Sequence, residues 1–313
     1  MDRVLTMMKA PTGGYVGDGH VHPAVLDAAR QELAEARTAG QVTDGYVVRC
    51  GDDIALVVLH AGDAAAVAAL GSRTFSRCWT VARELGQHGC RNGGPVHETV
   101  SVTLDGEPET VLCFMADKAP AGAWNLFLYR VFADPFNTPS LLSDPRMIDG
   151  FGFAVRAPDG TEMAFGLPGD LHAFLGAASG SAIVRQVDSR FSSRTAAVAS
   201  EGPDPMLVVR CHDGFPSVGE TLEPFAFPYA VAGPAGPLVP VSTNEDATTR
   251  VFGRAIGLGF QVTDERLVGP RDLLGDRAFD GSRLRAVAAA DDLRRHGPFS
   301  PAAATLRPFH SHV

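Results

Sequence analysis

Lysine is nearly absent from this sequence of 313 residues. Lys9 and Lys118 are the only lysines, and the rest of the 27 basic residues are arginines. Arginine in place of lysine, together with abundant Ala, Gly and Pro, is typical of a GC-rich genome. A lysine that is kept against such a bias invites a chemical explanation. The formal net charge is -9, and because an acidic protein repels phosphate backbones, we expect no nucleic-acid partner.

Long hydrophobic runs and targeting segments are also lacking. No apolar stretch is long enough to span a bilayer, and the N-terminal residues do not join a basic region to an apolar one. The five cysteines form no C-x-x-C pair, and Cys50, Cys113 and Cys211 lie in apolar, strand-like runs. This pattern predicts buried free thiols in a reducing compartment, so we expect a cytoplasmic protein with no membrane partner.

The common motifs for nucleotide binding and covalent catalysis are missing as well. The loop at 13–19 is rich in glycine but lacks the spacing of a P-loop or of a dinucleotide-binding fingerprint. Neither G-x-S-x-G nor a cysteine-nucleophile signature occurs. The chemistry must therefore be sought among carboxylates, histidines and the two lysines.

Hydrophobic periodicity predicts a mixed fold whose N-terminal half is ferredoxin-like. Its β-α-β-β-α-β order is read from strands at 3–9, 46–50, 54–60 and 98–104 and from helices at 24–39 and 62–86. The further predicted elements are strands at 109–116, 151–156, 162–166, 182–189 and 206–212 and helices at 122–132 and 281–296. Because no linker or repeat divides the chain, we predict one α+β domain with layered sheets over 1–313.

Two adjacent carboxylates, Asp52 and Asp53, occupy a predicted tight turn after Gly51. They repel one another unless cations or solvent relieve the charge. The turn can direct both at one cavity, where they would bridge metal ions. The alternative is an ordinary solvated hairpin turn.

Two more aspartates lie beside predicted strand ends. Asp117 precedes Lys118 where a strand ends, so the aspartate can bind a metal while the lysine pairs with a phosphate. The alternative is a surface ion pair between the two. Asp204 stands between prolines just before another strand, either as a turn former or as a fixed carboxylate at the mouth of the strand.

Histidines provide a weaker signal. His20 and His22 form a His-x-His pair after the glycine-rich loop, and His212 ends a predicted strand. A His-x-His pair can chelate a metal from a strand, whereas loop histidines are more often solvated. Both interpretations stay open at this point.

Taken together, these segments resemble the archaeal-type fructose-1,6-bisphosphate aldolase/phosphatase family. The matching stretches run through nearly the whole chain in the family's order: Val21-His22-Pro23, Gly51-Asp52-Asp53, Phe114–Lys118, Gly122–Leu126, Ala133–Pro139, Phe225–Pro228, Gly257–Phe260 and Arg294–Phe299. The resemblance implies a four-layer α-β-β-α sandwich and a homo-octamer. It also implies a Mg²⁺-rich site that performs a Schiff-base aldol condensation and hydrolyses the 1-phosphate of a phosphorylated ketose.

Part of the family's site is retained in this sequence. The resemblance places metal ligands at Asp52, Asp53, Asp117 and Asp204, and it places a phosphate-contacting lysine at Lys118. Asn92 lies near the position of a metal-binding glutamine of the family and is a candidate substrate-binding residue. We therefore expect Mg²⁺ as the cofactor.

Other parts of that site are lost. The family's first loop reads Asp-Ile-Gly-Ser and carries the phosphatase base, whereas this chain reads Pro11-Thr12-Gly13-Gly14. The family's aldolase tyrosine and Schiff-base lysine fall on Ala199 and Gly202. A Schiff base needs an amine nucleophile, so normal aldolase chemistry is not expected. The candidate catalytic residues are then Lys118, through its phosphate contact, and Asp18, His20 and His212 as acid–base groups.

The leading hypothesis is a divergent Mg²⁺-dependent enzyme, repurposed for specialised metabolism, that acts on a small phosphorylated, sugar-like substrate. Its reaction would be phosphate-ester hydrolysis or metal-assisted lyase, aldol or cyclisation chemistry. One alternative is a genuine fructose-1,6-bisphosphatase with a substitute base. The other is a non-catalytic paralogue that binds a sugar phosphate.

Overall fold

The structure of the protein is a computed structural model, which describes residues 3–15, 19–87, 89, 96–105, 108–134, 150–178, 181–190, 194–211, 222–226, 238–245, 252–263 and 265–296. The chain divides into two compact units. Unit 1 comprises Met1–Cys113, Thr243–Thr248 and Gly259–Arg271, and unit 2 comprises Phe114–Ser242, Thr249–Leu258 and Asp272–Val313. A single family domain over 1–313 stays a prediction.

Unit 1 is built around a four-stranded antiparallel sheet with two helices. The elements are β1 (Arg3–Pro11), α1 (Pro23–Thr38), β2 (Asp44–Cys50), β3 (Asp53–His60), α2 (Ala64–Glu84) and β4 (Glu98–Leu104). The strand order is β2-β3-β1-β4, and every neighbouring pair is antiparallel. The predicted ferredoxin-like half is thereby confirmed.

The sequence explains why these elements pack as they do. All eight residues of β3 are buried, as its nearly continuous apolar run requires. Helix α1 buries Val25, Ala29, Leu33 and Ala36, a spacing that places them along one face. The first turn of α1 has Pro23 next to His22, whose ring Nδ1 accepts a hydrogen bond from the backbone of Ala24. His22 is thus a helix cap.

Unit 2 contains most of a nine-stranded sheet. The strands of this sheet are β5 (Glu109–Asp117), β6 (Phe151–Arg156), β7 (Glu162–Leu167), β8 (Ile183–Ser189), β9 (Arg194–Ala199), β10 (Met206–Cys211), β11 (Leu238–Pro240), β12 (Gly253–Thr263) and β13 (Arg266–Asp272). The order is β11-β12-β5-β10-β9-β8-β6-β7, with β13 paired to β12. The described helices are α3 (Asn125–Phe132), α4 (Leu171–Ala178) and α5 (Asp280–His296), with short 3-10 turns at Glu223–Ala226 and Arg277–Phe279.

An aromatic cluster packs the start of α3 against β5 in unit 2. Phe114 lies 5.9, 5.3 and 5.7 Å from Trp124, Phe127 and Phe225 between ring centroids. The Trp124 indole N–H donates to the carbonyl oxygen of Pro205 at 2.9 Å. Because all four rings are buried, this cluster fixes the end of β5 where Asp117 lies.

The predicted α+β class is confirmed by these two sheets and by five α-helices in the described part of the chain. No helix among the described residues is long and apolar enough to cross a membrane. Cys78 and Cys113 are buried free thiols, Cys50 is buried as well, and Cys211 is half-buried. Burial raises the pKa of the Cys78 thiol to about 12, so this group stays a thiol.

Candidate functional site

The turn between β2 and β3 holds its two aspartates away from water. Cys50 pairs with Asp53 across the turn, and Gly51 has a left-handed φ of 64°. Asp52 and Asp53 are only 5% and 4% exposed. The interpretation as a solvated hairpin turn is therefore wrong. Because buried carboxylates are costly unless positive charge compensates them, this turn needs a cation.

Lys9 supplies positive charge to one of these carboxylates. Its ammonium group donates to Asp53 Oδ2 at 2.8 Å, and the two side chains are 5% and 6% exposed. Lys9 pairs with Ala55 in the β1–β3 register, and residues two apart in a strand share a face. The lysine and Asp53 therefore lie on one face of the sheet. The scarcity of lysine was the sequence signal for this residue, but it was not among the predicted site residues.

Thr12 ties the loop after β1 to the same turn. Its backbone N–H and its hydroxyl both donate to the carbonyl oxygen of Asp52, at 3.1 and 3.2 Å. Thr12 is completely buried. The segment in which the resemblance places a base carboxylate, here Pro11 to Gly14, is thus held against the double-aspartate turn without contributing a carboxylate of its own.

Asp117 in unit 2 is also paired with a buried cationic side chain, as Asp53 is in unit 1. Its carboxylate is 1% exposed, and its Oδ2 accepts hydrogen bonds from Nε and Nη2 of Arg254 at 3.1 and 2.5 Å. Arg254 lies on β12, the neighbour of β5 in the sheet. A surface ion pair is excluded for Asp117, because its carboxylate is buried and pairs with an arginine far away in the sequence.

Asp204 is bound to the segment that follows Asp117. Its Oδ1 accepts from the backbone N–H of Ala119 at 2.7 Å, and its own N–H donates to the Ala119 carbonyl at 2.8 Å. The backbone N–H of Ala116 donates to Pro205 O at 3.1 Å. The turn at Asp204 is therefore hydrogen-bonded to the chain on both sides of Lys118, and unit 2 places Asp204 next to the segment that contains Asp117 and Lys118.

The backbone at Lys118 and at Asp204 is unusual for residues with side chains. Their φ angles are 59° and 55°, in the left-handed region, which costs a non-glycine residue about 1 kcal/mol. A Cβ added to Gly253 would lie 3.1 Å from the Lys118 carbonyl oxygen, so β12 approaches this turn closely. Such a conformation persists only where surrounding bonds impose it, and it is typical of functional sites.

His20 is packed against other side chains. A guanidinium nitrogen of Arg49, Nη1, lies 2.6 Å from His20 Nε2. The ring of Tyr15 meets His20 and His22 edge-on, with centroids 5.1 and 5.2 Å apart. These contacts make His20 half-buried, and its acid–base role stays a prediction. Sequence reasoning gave no signal for Arg49.

Several predicted residues remain untested. Asp18, Asn92 and His212 lie outside the described residues. The four aspartates form one pair in each unit, so their convergence on a single cavity stays a prediction. Among the described residues, no group of three or more His, Cys, Asp or Glu side chains could hold a metal ion. Mg²⁺ commonly takes only one or two carboxylates, with water and substrate phosphate completing its octahedron, so paired aspartate oxygens fit its chemistry.

Comparison with known proteins gives one consistent family. Residues 3–308 match the family model described as fructose-1,6-bisphosphatase. A protein of Moorella thermoacetica named fructose-1,6-bisphosphate aldolase/phosphatase is 39% identical over 95% of this chain and 87% of its own length. Proteins of the same name from Ignicoccus hospitalis and Metallosphaera sedula are 38% and 35% identical, over 95% and 96% of this chain and 86% and 88% of theirs.

Proposed function

This chain belongs to the fructose-1,6-bisphosphatase family, and on that premise we propose that it is a Mg²⁺-dependent hydrolase of a small, sugar-like phosphate ester. The observation that carries the proposal is the burial of Asp52, Asp53, Asp117 and Asp204. Buried acids are costly in a fold unless cations or hydrogen bonds compensate them, and four of them at the positions where the family resemblance implies metal ligands support a metal-binding role. Sugar phosphates are the substrates that the names of its relatives indicate.

Each group has a role in this proposal. The four aspartates hold Mg²⁺, which when bound supplies a Lewis acid for the phosphoryl oxygens. Lys118, fixed between Asp117 and the Asp204 turn, places its ammonium group against the substrate phosphate. His20 is the candidate acid–base group within the described residues.

Schiff-base chemistry has no place in this proposal. Gly202 stands where the family resemblance puts the lysine nucleophile. Lys9 donates to Asp53 from a buried position, and an ammonium group engaged in that way has no lone pair for attack on a carbonyl. Metal-assisted lyase, aldol or cyclisation chemistry, as part of a repurposed activity, is the second candidate because the loop at Pro11 to Gly14 lacks a base carboxylate. A homo-oligomer in the cytoplasm completes the proposal.

Phosphate release tests the proposal directly. The purified chain is incubated with a panel of sugar phosphates that includes fructose 1,6-bisphosphate, in Mg²⁺ or in EDTA. We expect release that requires Mg²⁺ and that Asp52→Asn abolishes, whereas the matched control Asp27→Asn retains it because Asp27 lies in an exposed ion pair with Arg30. Mg²⁺-dependent binding of a sugar phosphate without any turnover would instead favour a non-catalytic binding protein.

A further inference from the structure

Two of the proposed metal ligands are already paired with a cation from a neighbouring strand. Lys9 on β1 contacts Asp53 at the start of β3 in unit 1, and Arg254 on β12 contacts Asp117 at the end of β5 in unit 2. All four side chains are at most 10% exposed. Two different sheets therefore use the same device, a strand-end aspartate with a buried counter-ion beside it.

The cost of a buried charge explains what these cations do. An isolated carboxylate in a protein interior is strongly destabilising, and removing one partner of a buried pair is far worse than never having the pair. A metal ligand faces this cost each time its metal dissociates. A fixed ammonium or guanidinium group next to the ligand limits that cost, because one carboxylate oxygen can accept from the cation while the other binds a metal.

We propose that Lys9 and Arg254 are internal counter-ions that substitute for the positive charge of Mg²⁺ at Asp53 and Asp117 whenever the metal is absent. The inference rests on the proposed function, because it takes both aspartates as metal ligands. It adds that the protein keeps its fold while the metal leaves and returns. The counter-ion and Mg²⁺ stabilise the same carboxylate, so each contributes less when the other is present.

The experiment compares melting temperatures of the full-length chain in EDTA and in saturating Mg²⁺. Lys9→Met removes the counter-ion with little change of length. In EDTA we expect its Tm to fall by about 5 °C or more, because Asp53 is left as a buried unpaired charge. In Mg²⁺ we expect the gap to the wild type to shrink to about half or less.

Arg77→Met is the matched control. Arg77 contacts Glu32, which is not a proposed metal ligand. The side chains of Glu32 and Asp53 are equally buried, since each is 6% exposed. Its Tm gap to the wild type should be the same in EDTA and in Mg²⁺. The double variant Lys9→Met/Asp53→Asn removes both charges, so it should fold in EDTA even where Lys9→Met does not and should show no Mg²⁺ rescue.

The possible outcomes distinguish the counter-ion role of Lys9 from the proposed function. A Lys9→Met gap that is equally large in EDTA and in Mg²⁺, while the wild type binds Mg²⁺ by calorimetry, overturns the counter-ion role and leaves the proposed function standing. A wild type that neither binds Mg²⁺ nor gains stability from it overturns both. Arg254→Met, measured in the same way, extends the test to Asp117.

Discussion

Asp204 and Ala119 exchange two hydrogen bonds although 85 residues separate them in the sequence, and the shorter one, from the Ala119 N–H to Asp204 Oδ1, measures 2.7 Å. This contact gives the aspartate a structural role beside the proposed metal role. Substitution can separate the two roles, since asparagine keeps an acceptor oxygen and tolerates a left-handed backbone.

Asp204→Asn should therefore fold like the wild type but bind Mg²⁺ more weakly. Asp204→Ala should lose about 2 kcal/mol of unfolding free energy, because it leaves the Ala119 N–H unsatisfied and strains the backbone at φ 55°. Urea denaturation with and without Mg²⁺ measures both effects. Equal unfolding free energies of the two variants would show that the hydrogen bond between Ala119 and Asp204 does not stabilise the fold.

Lys118 provides the second prediction. Lys118→Ala should raise KM or lower kcat by about tenfold or more, because the ammonium group that neutralises the substrate phosphate is gone. Lys118→Arg should recover only part of the loss, since a planar guanidinium occupies different space from an ammonium group. Melting temperatures should stay near that of the wild type, because alanine, arginine and lysine experience the same strain at φ 59°. Unchanged kinetics in Lys118→Ala would remove the phosphate role.

The absence of Schiff-base chemistry is the third prediction. Borohydride reduction in the presence of dihydroxyacetone phosphate should leave the protein unlabelled, because Lys9 is engaged with Asp53 and neither lysine aligns with the nucleophile of the family. Intact mass spectrometry measures the result, with a relative that carries the lysine as the positive control. A stable adduct on Lys9 or Lys118 would contradict the account.

The fourth prediction concerns Glu32, which bridges α1 and α2 through Arg73 and Arg77 at 2.8 Å each. Burial raises the pKa of Glu32, but the hydrogen bonds and charges of Arg77 and Arg73 outweigh it and lower the pKa overall. A carboxyl whose pKa is lowered in the folded state stabilises the fold above its unfolded pKa. That stability is lost as the pH falls through the folded pKa.

Glu32→Gln should accordingly lower the unfolding free energy most at neutral pH, and its difference from the wild type should shrink as the pH falls below about 4.5. Thermal unfolding across this range measures the effect. Asp27→Asn serves as the control, because the Asp27–Arg30 pair is exposed and exposed pairs contribute little. A Glu32→Gln difference that does not change with pH would show that the two arginines do not stabilise the ionised acid.

Sequence patterns predicted the N-terminal half of the fold well, because its apolar runs alternate clearly with turns and helical stripes. The elements they missed include β9 (Arg194–Ala199), β12 (Gly253–Thr263) and α4 (Leu171–Ala178). β9 is rich in alanine, β12 contains three glycines, and α4 is short and mainly apolar. Each of these segments therefore has a weak intrinsic propensity for its secondary structure, which is instead determined by pairing with neighbouring strands or by tertiary packing.

The aspartates were predicted from the sequence, whereas their partners were not. Lys9 and Arg254 lie 44 and 137 residues in the sequence from the aspartates that they contact. No local sequence spacing therefore connects each cation with its carboxylate. Only strand register reveals such pairs. The dual role of Asp204 was equally hidden, because a carboxylate between prolines indicates a turn but not the backbone segment to which it binds.

Calorimetric titration of Mg²⁺ into the wild type and into the Asp→Asn variants at Asp52, Asp53, Asp117 and Asp204 tests the central claim most directly. If these aspartates hold Mg²⁺ as proposed, each variant should weaken Mg²⁺ binding by at least about tenfold. Mg²⁺ binding that stays unchanged in all four variants would contradict the account.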